Sequence, residues 1–184
     1  MWEWVVTCTA SVPGVLKTRP PWDANAGMLQ QRLRAIGLPA LPEEGQVLHI
    51  HQHLDLFVDG EPVPVAADFG IAADRTFIAP LHTHEPQPGN PPDGILHVES
   101  PTEETFTLGQ MFAVWGVRLD PKCLGGLCES GDKKLRTWVN GEPFEGDPTR
   151  IALEEHQQIV IAYGTEAQVP DPIPATYDWE AVGL

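Results

Sequence analysis

Basic residues are scarce in this chain: 11 Lys and Arg stand against 26 Asp and Glu among its 184 residues, for a formal net charge of -15. This balance argues against nucleic-acid binding and against a polybasic membrane patch. Long apolar runs are also missing, so no membrane-spanning helix, which needs about 20 such residues, is predicted. The first residues lack the basic and apolar regions of a signal peptide. We therefore expect either a cytoplasmic protein or a chain that begins downstream of its targeting segment.

Cysteine is rare as well, with three residues in all. Cys8 stands alone, whereas Cys123 and Cys128 enclose the sequence Leu-Gly-Gly-Leu. That spacing is compatible with a disulfide closing a small loop, for which we expect Cα atoms about 4.4–6.8 Å apart. Two free thiols or a metal held by the pair are the alternatives, although no further Cys or His lies close in sequence to complete a metal site. A disulfide would favour an oxidising compartment.

Turn-forming residues are abundant: 19 Pro and 17 Gly imply short elements, which suit a β-rich protein better than a helical bundle. We predict a β-rich α+β fold with two short helices, near residues 24–36 and 107–115. Asp59-Gly60 and Asn140-Gly141 each follow apolar alternation and predict hairpin turns, because a type I′ turn needs positive φ at both central residues. An all-β jelly-roll of the cupin type is the alternative fold.

Apolar runs bounded by turn residues predict the strands. A Pro-rich loop over 85–94 joins two histidine-bearing strands, which predicts a long hairpin. The predicted strands are 47–58, 63–71, 75–84, 95–100, 134–139 and 159–163.

The chain divides into three predicted segments: an N-terminal arm with a short helix (1–44), a histidine-rich β half (45–105) and a scaffold half with an extended C-terminal tail (106–184). Phe57 to Pro62 matches Trp138 to Pro143 at an offset of 81 residues. Such an echo is typical of a duplication, although coincidence also produces short matches. If the halves are duplicated, the second has lost the histidines and serves as scaffold.

Histidine carries the chemical signal, because six of the seven histidines lie in three short segments. Residues at i, i+2 and i+4 of a strand share one face, so each segment aims its side chains in one direction. In the first segment the histidines lie opposite the apolar face and are therefore unlike core histidines. A solvated polar face is the alternative. The segments are His49-Ile50-His51-Gln52-His53, His82-Thr83-His84 and His97-Val98-Glu99.

Imidazole is the commonest protein ligand for transition metals, so this pattern predicts a mononuclear site for a divalent ion. An imidazole set suits Cu(II) or Zn(II), then Ni(II) or Fe(II), and we favour copper over zinc. A Cu(I) carrier is disfavoured because no thiolate or thioether is near. Glu99 has four open roles: ligand, partner of an imidazole, general base or plain surface residue. The predicted ligands are His51, His53, His82, His84 and His97, with His49 and Glu99 at the margin.

Two main classes of function fit such a site. The first is a binding module that holds Cu(II) or Zn(II) outside the cytoplasm. The second is a metalloenzyme, either a copper or iron redox catalyst or a zinc hydrolase, which needs an open coordination position. An interaction domain with a structural metal is a third class.

Several strings in the chain resemble a family of uncharacterised bacterial proteins over roughly residues 45–180. The resemblance implies an exported or membrane-anchored domain, but it does not imply any particular activity. The half after residue 105 is also similar to β-grasp domains. The strings are His51-Gln52-His53-Leu54, Leu81-His82-Thr83-His84, His97-Val98-Glu99-Ser100, Thr107-Leu108-Gly109-Gln110, Trp115-Gly116 and Val139-Asn140-Gly141.

Overall fold

The computed structural model describes residues 11–86 and 93–184. They form a strand-rich α+β fold, which confirms the predicted class. The helices are α1 (Leu29–Ile36), α2 (Leu108–Trp115) and α3 (Trp179–Val182). The strands are β1 (Leu48–Val58), β2 (Glu61–Val63), β3 (Leu81–His82), β4 (Ile95–Ser100), β5 (Leu119–Asp120), β6 (Cys123–Leu124), β7 (Leu127–Cys128), β8 (Lys134–Val139), β9 (Glu142–Pro143) and β10 (Gln157–Gly164).

Most of the strands form one seven-stranded mixed sheet in the order β3-β4-β1-β10-β8-β9, with β2 also paired to β1. β1 and β10 run parallel at the centre, and their neighbours in the sheet pair antiparallel. β5, β6 and β7 form a separate small antiparallel sheet. Because the large sheet is open over the residues described, the fold is not the alternative jelly-roll.

The two faces of the large sheet differ because side chains alternate along each strand. Leu54 of β1 and Ile159 of β10 point into the main core. Leu33 of α1 and Phe112 of α2 pack into the same core, so both helices cover this face. The histidines of β1 stand at the odd positions, and the opposite face therefore receives them.

Both ends of α2 are set by local hydrogen bonds. Thr107 and Gln110 form a capping box at its start, and Gly116, with φ of 77°, ends it.

Arg32 of α1 is fully buried and donates to the carbonyl oxygen of Val114 over 3.1 Å. This cation at the carboxyl end of α2 fixes the two helices to each other.

The two hairpin predictions are confirmed. Asp59 and Gly60 have φ of 55° and 89° between β1 and β2, and Asn140 and Gly141 have φ of 53° and 82° between β8 and β9. The predicted bounds of β4 and β8 are also confirmed, and the helix prediction near 107–115 is correct within one residue.

Two predicted strands, 63–71 and 75–84, are wrong in length. The return strand pairs with β1 only over Glu61–Val63, because Pro64 has no N–H to donate and Gly70, with φ of 79°, turns the chain. In the second case only Leu81–His82 pairs, directly after Pro80. This short strand still forms an antiparallel pair with β4, as the predicted long hairpin requires. Residues 87–92 of the loop that joins them lie outside the described part of the chain.

The predicted boundary at residue 105 does not separate two sheets. The C-terminal part of β1, from the histidine-rich half, pairs with β10 from the other half, from Gln52 opposite Gln157 to Val58 opposite Tyr163. At the offset of 81 residues, β1 corresponds to β8 and β3 corresponds to β10. The two halves nevertheless differ in topology, because β8 pairs directly with β10, whereas β4 stands between β1 and β3. The two matching hairpins therefore lie in different surroundings.

Cys123 and Cys128 form the predicted disulfide, with Cα atoms 4.1 Å apart. This separation is below the expected range because the cysteines face each other directly across the β6–β7 pair. Cys8, in contrast, lies outside the described residues. Over the described part of the chain, none of the helices combines the length and apolar character needed to cross a bilayer.

Candidate metal centre

Three histidines form one row across three neighbouring strands. His51 of β1 lies opposite His97 of β4, and His97 lies opposite His82 of β3. Directly opposed residues point to the same face of a sheet. The ring centroids of His51 and His97 are 4.8 Å apart, and those of His97 and His82 are 5.5 Å apart. Strand pairing alone therefore brings together imidazoles that are far apart in sequence.

Glu99 lies at the centre of these side chains. It is opposite His49 in the β1–β4 pair, and its Oε1 lies 3.3 Å from the Nε2 of His49. The same oxygen is 3.3 Å from His97 Nδ1 and 3.9 Å from His82 Nε2. Of the four roles that the sequence left open for Glu99, a plain surface residue is wrong, because its side chain is only 3% exposed.

Two His-x-His pairs, His49/His51 and His82/His84, turn their Nε2 atoms toward each other. The Nε2 atoms of His49 and His51 are 3.1 Å apart, and those of His82 and His84 are 3.2 Å apart. Two ligands of one tetrahedral zinc ion, each about 2.0–2.1 Å from it, lie about 3.4 Å apart. These pairs therefore have nearly the spacing of two nitrogens on one metal ion.

The residues form two overlapping groups, which share His97 and Glu99. Within each group, one ligand atom per residue lies within 4.8 Å of all the others. The arrangement is compatible with metal binding. The first group is His49, His51, His97 and Glu99, and the second group is His82, His84, His97 and Glu99.

His82 is held with one nitrogen free for a ligand bond. Its Nδ1 lies 2.9 Å from the carbonyl oxygen of Ala79, which can only accept, so Nδ1 carries the proton. Nε2, which faces His84 and Glu99, therefore presents its lone pair. Burial, and then the charge of His84, lower the pKa of His82 to about 3, so the ring is neutral at physiological pH. A backbone hydrogen bond of this kind is the usual support of a metal-binding histidine.

His51 has a comparable environment on the other side. Burial, and then the charges of His97 and His49, lower its pKa to about 4. Its Nε2 faces His49, while its Nδ1 is 3.9 Å from a carboxylate oxygen of Glu155. This residue is therefore also neutral at physiological pH.

Glu99 remains a carboxylate inside this cluster. Burial by itself raises its pKa, but the hydrogen bond with His97 and the neighbouring His82 and His49 outweigh it and lower the pKa to about 2. Its Oε2 is buried and has no hydrogen-bond partner in the described structure. Five imidazoles thus surround one anion that retains an unused oxygen.

Glu44 is a residue of the cluster that the sequence did not indicate. It lies in the irregular segment before β1, and its Oε1 is 3.5 Å from His84 Nε2. Burial, followed by the charge of Glu99 and a hydrogen bond to it, raises the pKa of Glu44. No periodic pattern could identify it, because the fold and not a strand register brings it to the site.

The structure does not bring His53, the fifth predicted ligand, to the other four. Its Nδ1 lies 2.9 Å from Gln158 Oε1, and its Nε2 lies 2.8 Å from the carbonyl oxygen of Asp93. Its ring also stacks on Tyr177, with centroids 3.9 Å apart. Both nitrogens are therefore engaged, farther along β1 than the two groups. Asp55, also on this face, accepts from Gln158 instead of a clustered histidine.

A shallow cavity of about 340 Å³ borders the second group. Glu44 and His84 line it together with apolar side chains and Arg75. His84, whose side chain is 36% exposed, is therefore open to this cavity. The remaining lining residues are Pro42, Glu43, Ile71, Phe77 and Ile78.

Comparison with known proteins gives no further guide to this site: no family model, no curated protein and no solved structure matches the chain.

Proposed function

We propose that this protein is an extracytoplasmic module that holds a divalent transition metal, Cu(II) or Zn(II), on the histidine face of its sheet. One observation carries the proposal: two His-x-His pairs converge on one buried carboxylate, with the Nε2 atoms of each pair 3.1–3.2 Å apart. The proposed ligands are His49, His51, His82, His84, His97 and Glu99. His53, which the sequence included, is left out of this set.

The donor types favour these two metals. Five imidazoles and a carboxylate are borderline to hard ligands, and neither group contains a cysteine. Copper(II) stands above zinc in affinity for nitrogen sites, so we favour copper when both metals are offered. Cu(I), which prefers sulfur, is expected to bind weakly.

One observation supports a location outside the cytoplasm. The Cys123–Cys128 disulfide is typical of an oxidising compartment.

The cavity beside His84 favours a metalloenzyme as the second candidate. A catalytic metal needs an open coordination position, and this cavity would give a substrate access to it. Azide added to the copper-loaded protein distinguishes the two functions: a shift in the visible spectrum indicates an exchangeable position, whereas an unchanged spectrum supports holding of the metal.

Direct metal binding is the main test. The purified protein, stripped with EDTA, is titrated with Cu(II) or Zn(II), and bound metal is counted by elemental analysis after desalting. We expect His97→Ala, which removes a member of both groups, to lose at least about tenfold in affinity. His156→Ala is the matched control, because His156 is half-exposed and belongs to neither group. Failure of the wild-type protein to retain either ion, or equal loss in both variants, would overturn the proposal.

A further inference from the structure

The cluster offers more donor atoms than one ion uses. Five imidazoles and the Glu99 carboxylate belong to the two groups, whereas a tetrahedral ion takes four ligands and a five-coordinate ion one more. The donors also divide evenly, since each group has a His-x-His pair that the other lacks. This surplus is hard to reconcile with the mononuclear site that the sequence predicts.

Glu99 stands where the two groups meet. Its Oε1 is 3.3 Å from His49 of the first group and 3.9 Å from His82 of the second. Its Oε2 is buried without a partner, although an unpaired buried carboxylate oxygen is costly. A carboxylate that binds one ion through each oxygen would use both atoms.

From this geometry we infer that the centre is dinuclear, with the Glu99 carboxylate bridging two ions; the inference rests on the proposed metal-binding function. His49 and His51 hold the first ion, and His82 and His84 hold the second. His97, which belongs to both groups, completes one of the two coordination shells. Carboxylate-bridged metal pairs lie about 3.5–4 Å apart, a distance that suits two groups with a shared member.

The surrounding charges agree with two cations. Besides Glu99, each side has a further carboxylate: Glu155 lies 3.9 Å from His51, and Glu44 lies 3.5 Å from His84. A cation held by His84 and Glu99 would attract the nearby Glu44 carboxylate. Glu44 is therefore the candidate for a further ligand of the second ion.

Stoichiometry and magnetic coupling test the inference together. The EDTA-stripped full-length protein is titrated with Cu(II), the bound ions are counted by native mass spectrometry, and the same samples are measured by electron paramagnetic resonance. We expect two ions per chain, and an integrated signal well below that of two isolated Cu(II) ions because bridged ions couple. One ion per chain, or two that give the full uncoupled signal, would overturn the dinuclear centre and leave metal holding intact. No retained ion would overturn both.

Single variants test which of the two ligand groups holds each ion. His49→Ala and His84→Ala each remove a partly exposed member of only one group, so the fold is expected to persist. We expect each variant to bind one ion and to show the full signal of an isolated Cu(II). His156→Ala is expected to keep two coupled ions. If both ligand variants still bind two coupled ions, the assignment is wrong.

Discussion

His97 of β4 and His82 of β3 lie opposite each other with ring planes inclined by only 10° and centroids 5.5 Å apart. His82 is neutral in the folded protein because burial, and then the charge of His84, lower its pKa to about 3. The environment of this strand pair therefore links the geometry of the site to its response to pH.

The metal-free protein is expected to lose stability as pH falls from 7 to 5. The folded-state pKa values of His82 and His51 are about 3 and about 4, below the ordinary value near 6.5. In this window the unfolded chain therefore binds more protons, and acid favours unfolding. Each histidine contributes up to about 1.4 kcal/mol per pH unit below 6.5. Urea unfolding in EDTA at pH 7, 6 and 5 measures the effect.

The control for this measurement is His156→Gln, which leaves both buried rings in place. His156 makes only a small contribution to the lowered pKa of His51, so the pH slope is expected to change little. His82→Gln should flatten the slope because one buried titrating group is removed. An unfolding free energy that is constant between pH 7 and 5 would contradict the explanation.

Bound metal is expected to stabilise the fold reversibly. A ligand that binds only the folded state stabilises it by about 2.7 kcal/mol at 100 times its dissociation constant. Thermal unfolding with Cu(II) or Zn(II) should therefore show a higher midpoint, and EDTA should restore the metal-free value. His97→Ala should show a smaller rise, whereas an equal rise in that variant would mean that the stabilising ion binds elsewhere.

Gly70 is not a proposed ligand, but Gly70→Ala is expected to displace His82 of the second group. Gly70 has φ of 79°, and a Cβ there would clash with the carbonyl oxygen of Leu81 and approach His82 Cβ to 2.8 Å. The substitution should destabilise the protein by more than about 1 kcal/mol and weaken metal binding, because β3 must shift.

Gly131→Ala is the matched control for that variant. Gly131 also has a positive φ, of 59°, but a Cβ there meets no atom within 4 Å. It should cost stability through backbone strain alone and leave metal affinity unchanged. Equal loss of metal affinity in the two variants would show that Gly70 has no special influence on His82.

Removal of the disulfide is expected to cost stability without affecting the metal. The loop between Cys123 and Cys128 is short, so the constraint on the unfolded chain is worth about 2 kcal/mol. The bridge lies in the small sheet, whereas the proposed ligands lie on the large one. The double variant Cys123→Ser, Cys128→Ser should therefore have a lower unfolding midpoint and an unchanged metal count. A lost ion would contradict this separation.

Local sequence patterns predicted several strands and both hairpin turns. The alternation of His49 and His51 with apolar residues identified the polar face of β1, and Asp59-Gly60 identified the first hairpin. These features depend on neighbours in sequence, so a period or a turn residue reveals them. The same reasoning included His53, because alternation specifies a face but not how far along the strand a side chain lies.

Pairings between distant segments were not predictable in the same way. Nothing in the sequence of β1 or β10 specifies that the two run parallel and adjacent, because a buried apolar strand suits many partners. Glu44 was missed for a related reason. Its place beside His84 depends on the path of an irregular segment, which has no repeating sequence pattern.

The strand order has a consequence for the time course of folding. The proposed ligands from His49 to Glu99 lie on or just after strands that pair antiparallel within one stretch of chain, whereas β1 meets β10 only across roughly a hundred residues. Closing the shorter loops costs less chain entropy, and contacts between distant segments slow folding. The proposed ligands can thus come together before the central parallel pair closes, so an ion that they bind early would stabilise this part of the sheet first.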